Sequence, residues 1–250
     1  MANGKVYLIG AGPGDVELLT LKAVRALAAA DVVLLDDLVN RDLLQFVNPA
    51  ARVIEVGKRG GCRSTPQAFI ERQMIRFAAA GKVVARVKGG DPFMFGRGGE
   101  EVAALRRAGA TVDVINGITS GIGAPAALGI PVTHRDLCHG VTFLTGHTRD
   151  DTEPDWAALA RSGTTLVIYM GMANLASIVA ELLRGGLRAA TPAAVVQNGT
   201  LPSQRSVVST LEDLVDAVTA AGLGSPAIVV IGEVAALADV LQLEPALAVA

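Results

Sequence analysis

Arg86-Val87-Lys88-Gly89-Gly90-Asp91-Pro92-Phe93-Met94-Phe95-Gly96-Arg97-Gly98-Gly99-Glu100-Glu101 is the stretch whose reading decides the fold. A short apolar run, Val83 to Val87, leads into its glycines and reads as a buried parallel strand. A helical pattern, Glu100 to Arg107, leads away from them. Gly89 and Gly90 carry no Cβ, so the backbone there can come close to a ligand. Asp91-Pro92 turns the chain out of helical geometry. Such a strand-to-helix loop opens at the carboxyl edge of a parallel sheet, where α/β proteins bind ligands. A plain glycine-rich turn is the alternative, but it gives no reason to expose Phe93, Met94 and Phe95 together.

Working outward, the same alternation of strand and helix recurs. Upstream, Val6 to Ile9 is a strand, and Thr20 caps a helix with Leu21, Val24, Leu27 and Ala28 on one face. Val32 to Leu35 is a second strand, Asn40 caps a short helix through Phe46, and Arg52 to Val56 is a third strand. Thr65-Pro66 starts a helix whose buried stripe is Phe69, Ile70, Met74, Phe77 and Ala78, with Gly81 as its stop. Downstream, Val112 to Ile115 is a fifth strand. This order implies a parallel sheet with right-handed crossovers.

Beyond it, Asn116 to Gly121 reads as a polar loop and Ala124 to Leu128 as a helix. Strands follow at Val141 to Thr145, Thr164 to Tyr169, Ala193 to Val196, Ser206 to Ser209 and Ala227 to Ile231. Helices fall at Asp155 to Ala160, Ser177 to Leu183 and Leu211 to Ala220. The short link before Ser206 marks an antiparallel strand and makes the second sheet mixed. The expectation is an α/β protein of two α/β domains, 1–117 with a parallel sheet and 118–250 with a mixed one.

Composition narrows the function. Of 250 residues, 51% are hydrophobic and 18% charged, which supports a large core. A net charge of −2 excludes a generally basic nucleic-acid binder. Cys62 and Cys138 stand far apart with no CxxC, which fits a reduced cytoplasmic protein without a zinc site or disulfide framework. No apolar run reaches membrane-spanning length.

Three segments carry chemistry. Gly10-Ala11-Gly12-Pro13-Gly14-Asp15 follows the first strand and fails the GxGxxG dinucleotide pattern twice. Asp15 replaces the third glycine, and Pro13 removes an N–H from the turn. Asp36-Asp37 ends the second strand, about 20 residues on, where a dinucleotide-binding protein keeps its ribose acid. An acid at that edge can equally serve as a general base. Residues 52–63 bear Arg52, Lys58, Arg59 and Arg63 against Glu55, a cluster suited to an anionic ligand.

Taken together, Gly10 to Asp15, Val56-Gly57-Lys58-Arg59, Val87 to Glu101, Gly117-Ile118-Thr119-Ser120, Gly129 to Arg135 and Tyr169-Met170-Gly171 resemble the tetrapyrrole methylases over nearly the whole chain. The resemblance implies two domains with S-adenosylmethionine between them, S-adenosylhomocysteine as by-product, and a homodimer. It implies methyl transfer to carbons C2 and C7 of uroporphyrinogen III, giving precorrin-2 for siroheme or cobalamin. Carried over position by position, cofactor contacts fall on Pro13, Gly89, Gly90, Asp91, Met94, Thr119, Ser120, Met170 and Gly199. The proton acceptor falls on Asp36 and the donor on Lys58. Arg59, Arg63 and Arg97 would meet the carboxylates of the substrate, and no metal, nucleic acid or membrane is involved. Leu35 departs from the family, which often has Tyr there. A sister activity, methylation of precorrin-4 at C11, stays open. So do an NAD-dependent oxidoreductase, resting on the first glycine loop and Asp36, and a non-enzymatic adenosyl-binding protein.

Overall fold

Ten strands in two five-stranded sheets organise the residues that the computed structural model describes, 4–57, 66–147 and 153–238. The chain divides into two compact units, Met1–Thr119 and Ser120–Ala250. No helix among the described residues is long and apolar enough to cross a membrane.

The first unit comprises β1 (Lys5–Gly10), α1 (Leu21–Ala28), β2 (Val32–Leu35), β3 (Arg52–Glu55), α2 (Gln67–Ala79), β4 (Val83–Lys88), α3 (Gly98–Arg107) and β5 (Thr111–Ile115). The sheet order is β3-β2-β4-β1-β5, and every pair is parallel, as the alternation implies. One face packs Ile9, Val33, Leu35, Ala85 and Val87 against α1 and Leu43. The other packs Val6, Leu34 and Val84 against Ile70, Met74 and Ala78 of α2 and Leu105 of α3. Fully burying each large aliphatic side chain contributes about 1.5–3 kcal/mol.

Thr20 caps α1 as expected, its Oγ1 accepting from Ala23 N at 3.1 Å. The buried face of α1 differs from the expected one. Ala23, Ala26 and Leu27 meet the sheet, while Leu21 is exposed. Short side chains let a helix lie close to its neighbour, so alanines carry the stripe here. In α2, Pro66 precedes the first helical residue, Phe69 is exposed and Phe77 is half-buried.

The second unit adds α4 (Ser120–Ala127), β6 (Val141–Thr145), α5 (Trp156–Ala160), β7 (Thr165–Tyr169), α6 (Leu175–Arg184), β8 (Pro192–Gln197), β9 (Arg205–Thr210), α7 (Leu214–Ala220) and β10 (Ala227–Ile231). Its order is β6-β7-β10-β8-β9. Only β6 and β7 run parallel; β10 is antiparallel to β7 and β8, and β9 to β8, so the sheet is mixed as expected. Trp156, Leu175, Ile178, Leu182, Leu214 and Val218 cover one face from α5, α6 and α7. The other face takes α4, which packs on β7, β8 and β10. This helix starts four residues before the expected Ala124, within the segment expected to be a polar loop.

Candidate active site

In the first unit, three strand-end loops meet backbone to backbone. Gly12 and Gly90 form an isolated antiparallel bridge, with N–H···O distances of 3.2 and 2.7 Å. The loop after β5 closes on the same point. A Cβ on Gly117 would stand 2.3 Å from the Gly90 carbonyl oxygen and 2.7 Å from the Gly10 carbonyl carbon. Asp91 ties this arrangement together. Its Oδ2 accepts from Asn116 Nδ2 at 3.1 Å and from Gly117 N at 3.2 Å, and its Oδ1 accepts from Phe93 N at 2.8 Å. Pro13, Gly89, Gly90 and Asp91 are thus brought to one edge, with Met94 half-buried in the loop beyond and buried Thr119 two residues past Gly117.

Gly117→Ala is expected to cost on the order of 1–3 kcal/mol, because overpacking against backbone cannot relax through a rotamer. Gly99, whose added Cβ would meet nothing within 4 Å, supplies the control. Gly99→Ala in α3 should be neutral or stabilising by up to about 1 kcal/mol. Equal unfolding midpoints for the two variants would contradict this packing.

The first glycine loop does not cradle a pyrophosphate. Asp15 caps a single 3-10 turn, Val16–Leu18, by accepting from Glu17 N, and the α-helix proper starts only at Leu21. A dinucleotide site needs a helix N-terminus at the loop. Asp36, the other support of that reading, is engaged elsewhere.

Asp36 follows β2, and its backbone N–H continues the β2–β4 ladder by donating to Val87 O at 3.1 Å. Its Oδ2 accepts from Arg86 Nη2 at 2.9 Å and lies 3.9 Å from Lys88 Nζ; its Oδ1 accepts from Asp37 N at 3.0 Å. Arg86 and Lys88 are alternate residues of β4 and so share the sheet face under α2 and α3. That face holds Glu101 of α3, which is fully buried. Glu101 Oε1 accepts from Arg86 Nε at 3.2 Å and from Gln67 Nε2 at 2.9 Å, and its Oε2 lies 3.5 Å from Lys88 Nζ. Arg86 is 2% exposed and Lys88 5%, whereas the Asp36 side chain keeps 32% of its surface in solvent. Burial, reinforced by the Arg86 guanidinium, holds the Lys88 amine below the ordinary lysine range, against the opposing pull of Glu101 and Asp36. Sequence reasoning missed Arg86, Lys88 and Glu101. The available signal was a period-two pair of cations inside a buried strand, which must find a buried acid.

In the second unit, the expected residues gather around α4. Gly121 N donates to the Tyr169 hydroxyl at 2.8 Å, which seats the start of α4, beginning with Ser120, against the end of β7. Met170 follows at φ 55° and is half exposed. A Cβ on Gly199 would come within 2.3 Å of Ala124 Cβ, so the loop after β8 lies directly on the same helix. Asn198 and Thr200 flank it at φ 51° and 68°, a left-handed conformation that costs energy and concentrates at ligand sites.

Arg97 is exposed and pairs with Glu100, Nη2 to Oε2 at 2.6 Å. Lys58, Arg59 and Arg63 lie outside the described residues, as does Cys62. Among the described residues there is no group of three or more His, Cys, Asp or Glu placed to hold a metal.

A soft sulfonium cofactor fits what is present. In the first unit the cradle is backbone at close approach, and the first glycine loop leads into a 3-10 turn and not into the N-terminus of an α-helix that would hold a phosphate.

Comparison with known proteins gives the same direction. The family description "Tetrapyrrole (Corrin/Porphyrin) Methylases" matches residues 5–215. A uroporphyrinogen-III C-methyltransferase of Pseudomonas aeruginosa is 57% identical over 232 residues, spanning 93% of this chain and 94% of its own. The crystal structure of a uroporphyrin-III C-methyl transferase from Thermus thermophilus, complexed with S-adenyl homocysteine, is 41% identical with a TM-score of 0.79, covering 92% of this chain and 93% of its own. A cobalt precorrin-4 methyltransferase is 31% identical with a TM-score of 0.84, covering 92% and 95%. Sister members thus share the fold to the same degree, and sequence identity separates them. With a match this long and this close, the chain belongs to the tetrapyrrole methylases.

Proposed function

We propose that this protein methylates uroporphyrinogen III at carbons C2 and C7, giving precorrin-2. The observation that carries the reading is the near-full-length likeness to a uroporphyrinogen-III C-methyltransferase, well above the identity to the precorrin-4 enzyme. S-adenosylmethionine, when bound, supplies a methyl group activated on a sulfonium. The proposed contacts to it are Pro13, Gly89, Gly90, Asp91, Met94, Thr119, Ser120, Met170 and Gly199. Asp91 acts by fixing the loops, since both of its oxygens already accept hydrogen bonds within the unit.

The reacting pyrrole carbon already bears a side chain and becomes fully substituted when it gains the methyl, so the proton that restores charge balance leaves from elsewhere on the macrocycle. Asp36 takes it, being a partly exposed carboxylate at the carboxyl edge of the sheet. Lys58 is the proposed donor, and Arg59, Arg63 and Arg97 the proposed partners of the substrate carboxylates. A well-formed charge-assisted contact of this kind contributes roughly 1.5–3 kcal/mol. The reading also carries a cytoplasmic homodimer, to be checked by sedimentation and fractionation.

Product mass tests the function. With uroporphyrinogen III and S-adenosylmethionine, two methyl groups are expected on carbon and none on carboxylate. A product without added methyl, or methylation of precorrin-4 in preference, would overturn it.

A further inference from the structure

Phe93 and Phe95 stand in the loop after β4, and Leu38 in the turn after β2, with no part in the chemistry described so far. All three keep much of their surface in solvent: Leu38 67%, Phe93 56% and Phe95 41%. We propose that Leu38, Phe93 and Phe95 form an apolar seat for the ring face of the tetrapyrrole, beside Asp36. The proposal rests on the methyl-transfer reading above and adds how the first unit holds the uncharged part of the substrate.

Two of these side chains are backed by a glycine. A Cβ on Gly89 would lie 3.4 Å from Leu38 Cβ, so Leu38 rests on the loop backbone. A Cβ on Gly98 would lie 3.1 Å from Phe93 Cδ1, so one side of that ring rests on the start of α3. With backbone behind and solvent in front, both present apolar surface that the first unit itself leaves uncovered.

The loop is closed and held under strain. Gly98 N donates to Pro92 O at 3.0 Å, and Phe93 N donates to Asp91 Oδ1 at 2.8 Å. Phe95 sits at φ 52° and Arg97 at φ 58°. A bulky residue in the left-handed region is strained, and such strain concentrates at ligand sites. Glycine adopts that conformation at no steric cost, yet here an aromatic side chain occupies it.

Position selects the occupant. Val39 N donates to Asp36 O at 3.4 Å, so Leu38 lies within the turn that Asp36 opens. β2 and β4 are parallel neighbours, which brings the two loops to one edge of the sheet. A substrate whose proton reaches Asp36 lies at that edge. Uroporphyrinogen III carries its carboxylates around the rim, while its four pyrroles form an apolar face. Arginines can meet the rim; the face calls for leucine and aromatic surface. Leu35, where the family often has Tyr, is buried against α1 and offers the substrate nothing, so the apolar contact comes from beyond the strand end.

Leu38→Ala and Phe93→Ala should each raise the KM for uroporphyrinogen III about tenfold with kcat little changed, because such contact is felt equally before and at the transition state. Phe95→Gly should do the same while the unfolding midpoint holds or rises, since glycine relieves the strain. S-adenosylhomocysteine affinity by calorimetry should stay at the wild-type value in all three. Val208→Ala shortens an apolar residue on β9 that is 42% exposed, and should leave KM alone. Leu38→Lys decides between face and rim. Against an apolar face the added charge raises KM; against a carboxylate it lowers KM, which would overturn the proposal. Wild-type KM in the three truncations would overturn it as well. So would a loss of S-adenosylhomocysteine affinity, which would assign these side chains to the cofactor. If the wild type adds no methyl to uroporphyrinogen III, the methyl-transfer reading has failed and this proposal falls with it.

Discussion

Asp36→Asn should lower turnover by about 10²–10⁴-fold, the scale of one lost general base, while S-adenosylhomocysteine binds as before. The substitution keeps the shape of the side chain. Its amide oxygen can still accept from Arg86, so the end of β2 stays in place. What disappears is a carboxylate able to receive a proton. The alternative role for this acid, holding a ribose, predicts the opposite order of damage, with cofactor affinity failing first. Calorimetry beside a turnover assay distinguishes the two. Full turnover in Asp36→Asn would remove the residue from the chemistry.

Glu101→Ala should destabilise the first unit by about 3–5 kcal/mol, because it strands buried cations without their partner. At roughly 2–4 °C per kcal/mol, the unfolding midpoint would drop on the order of 10 °C. The magnitude follows from burial. Glu101 has no exposed surface, and Arg86 and Lys88 have almost none. The Arg97–Glu100 pair is shorter, at 2.6 Å, yet both side chains are about half exposed. Such a surface i,i+3 pair contributes only about 0.3–0.5 kcal/mol. Glu100→Ala should therefore leave the midpoint nearly unchanged. A loss below about 1 kcal/mol in Glu101→Ala would mean that water, not Glu101, compensates these cations.

The elements misjudged from sequence share a cause. Ser120 and Gly121 read as the end of a polar loop, with the helix only from Ala124, because glycine and serine form helices poorly and Pro125 lies further along. Tertiary contact overrides that propensity, since Gly121 lets its backbone N–H reach the Tyr169 hydroxyl. In α1 the large apolar residues suggest one face, but the alanines allow closer packing and occupy the interface. Amphipathic pattern reports which residues avoid water; it does not report how near a neighbour can come.

The sequence by itself determined the alternation of strand and helix, the parallel first sheet, the mixed second sheet and the strand-end loops of the family. These follow from local periodicity and from glycines at fixed offsets. Asp36 also emerged from sequence, because its position at a strand end is a local property. Only the tertiary structure decided what Asp36 is bonded to. Arg86 lies 50 residues from it and Glu101 another 15 beyond, and they meet because β2 and β4 are neighbours and α3 covers the same face. Charges inside a low-dielectric layer must be paired across space, and no local pattern names the partner.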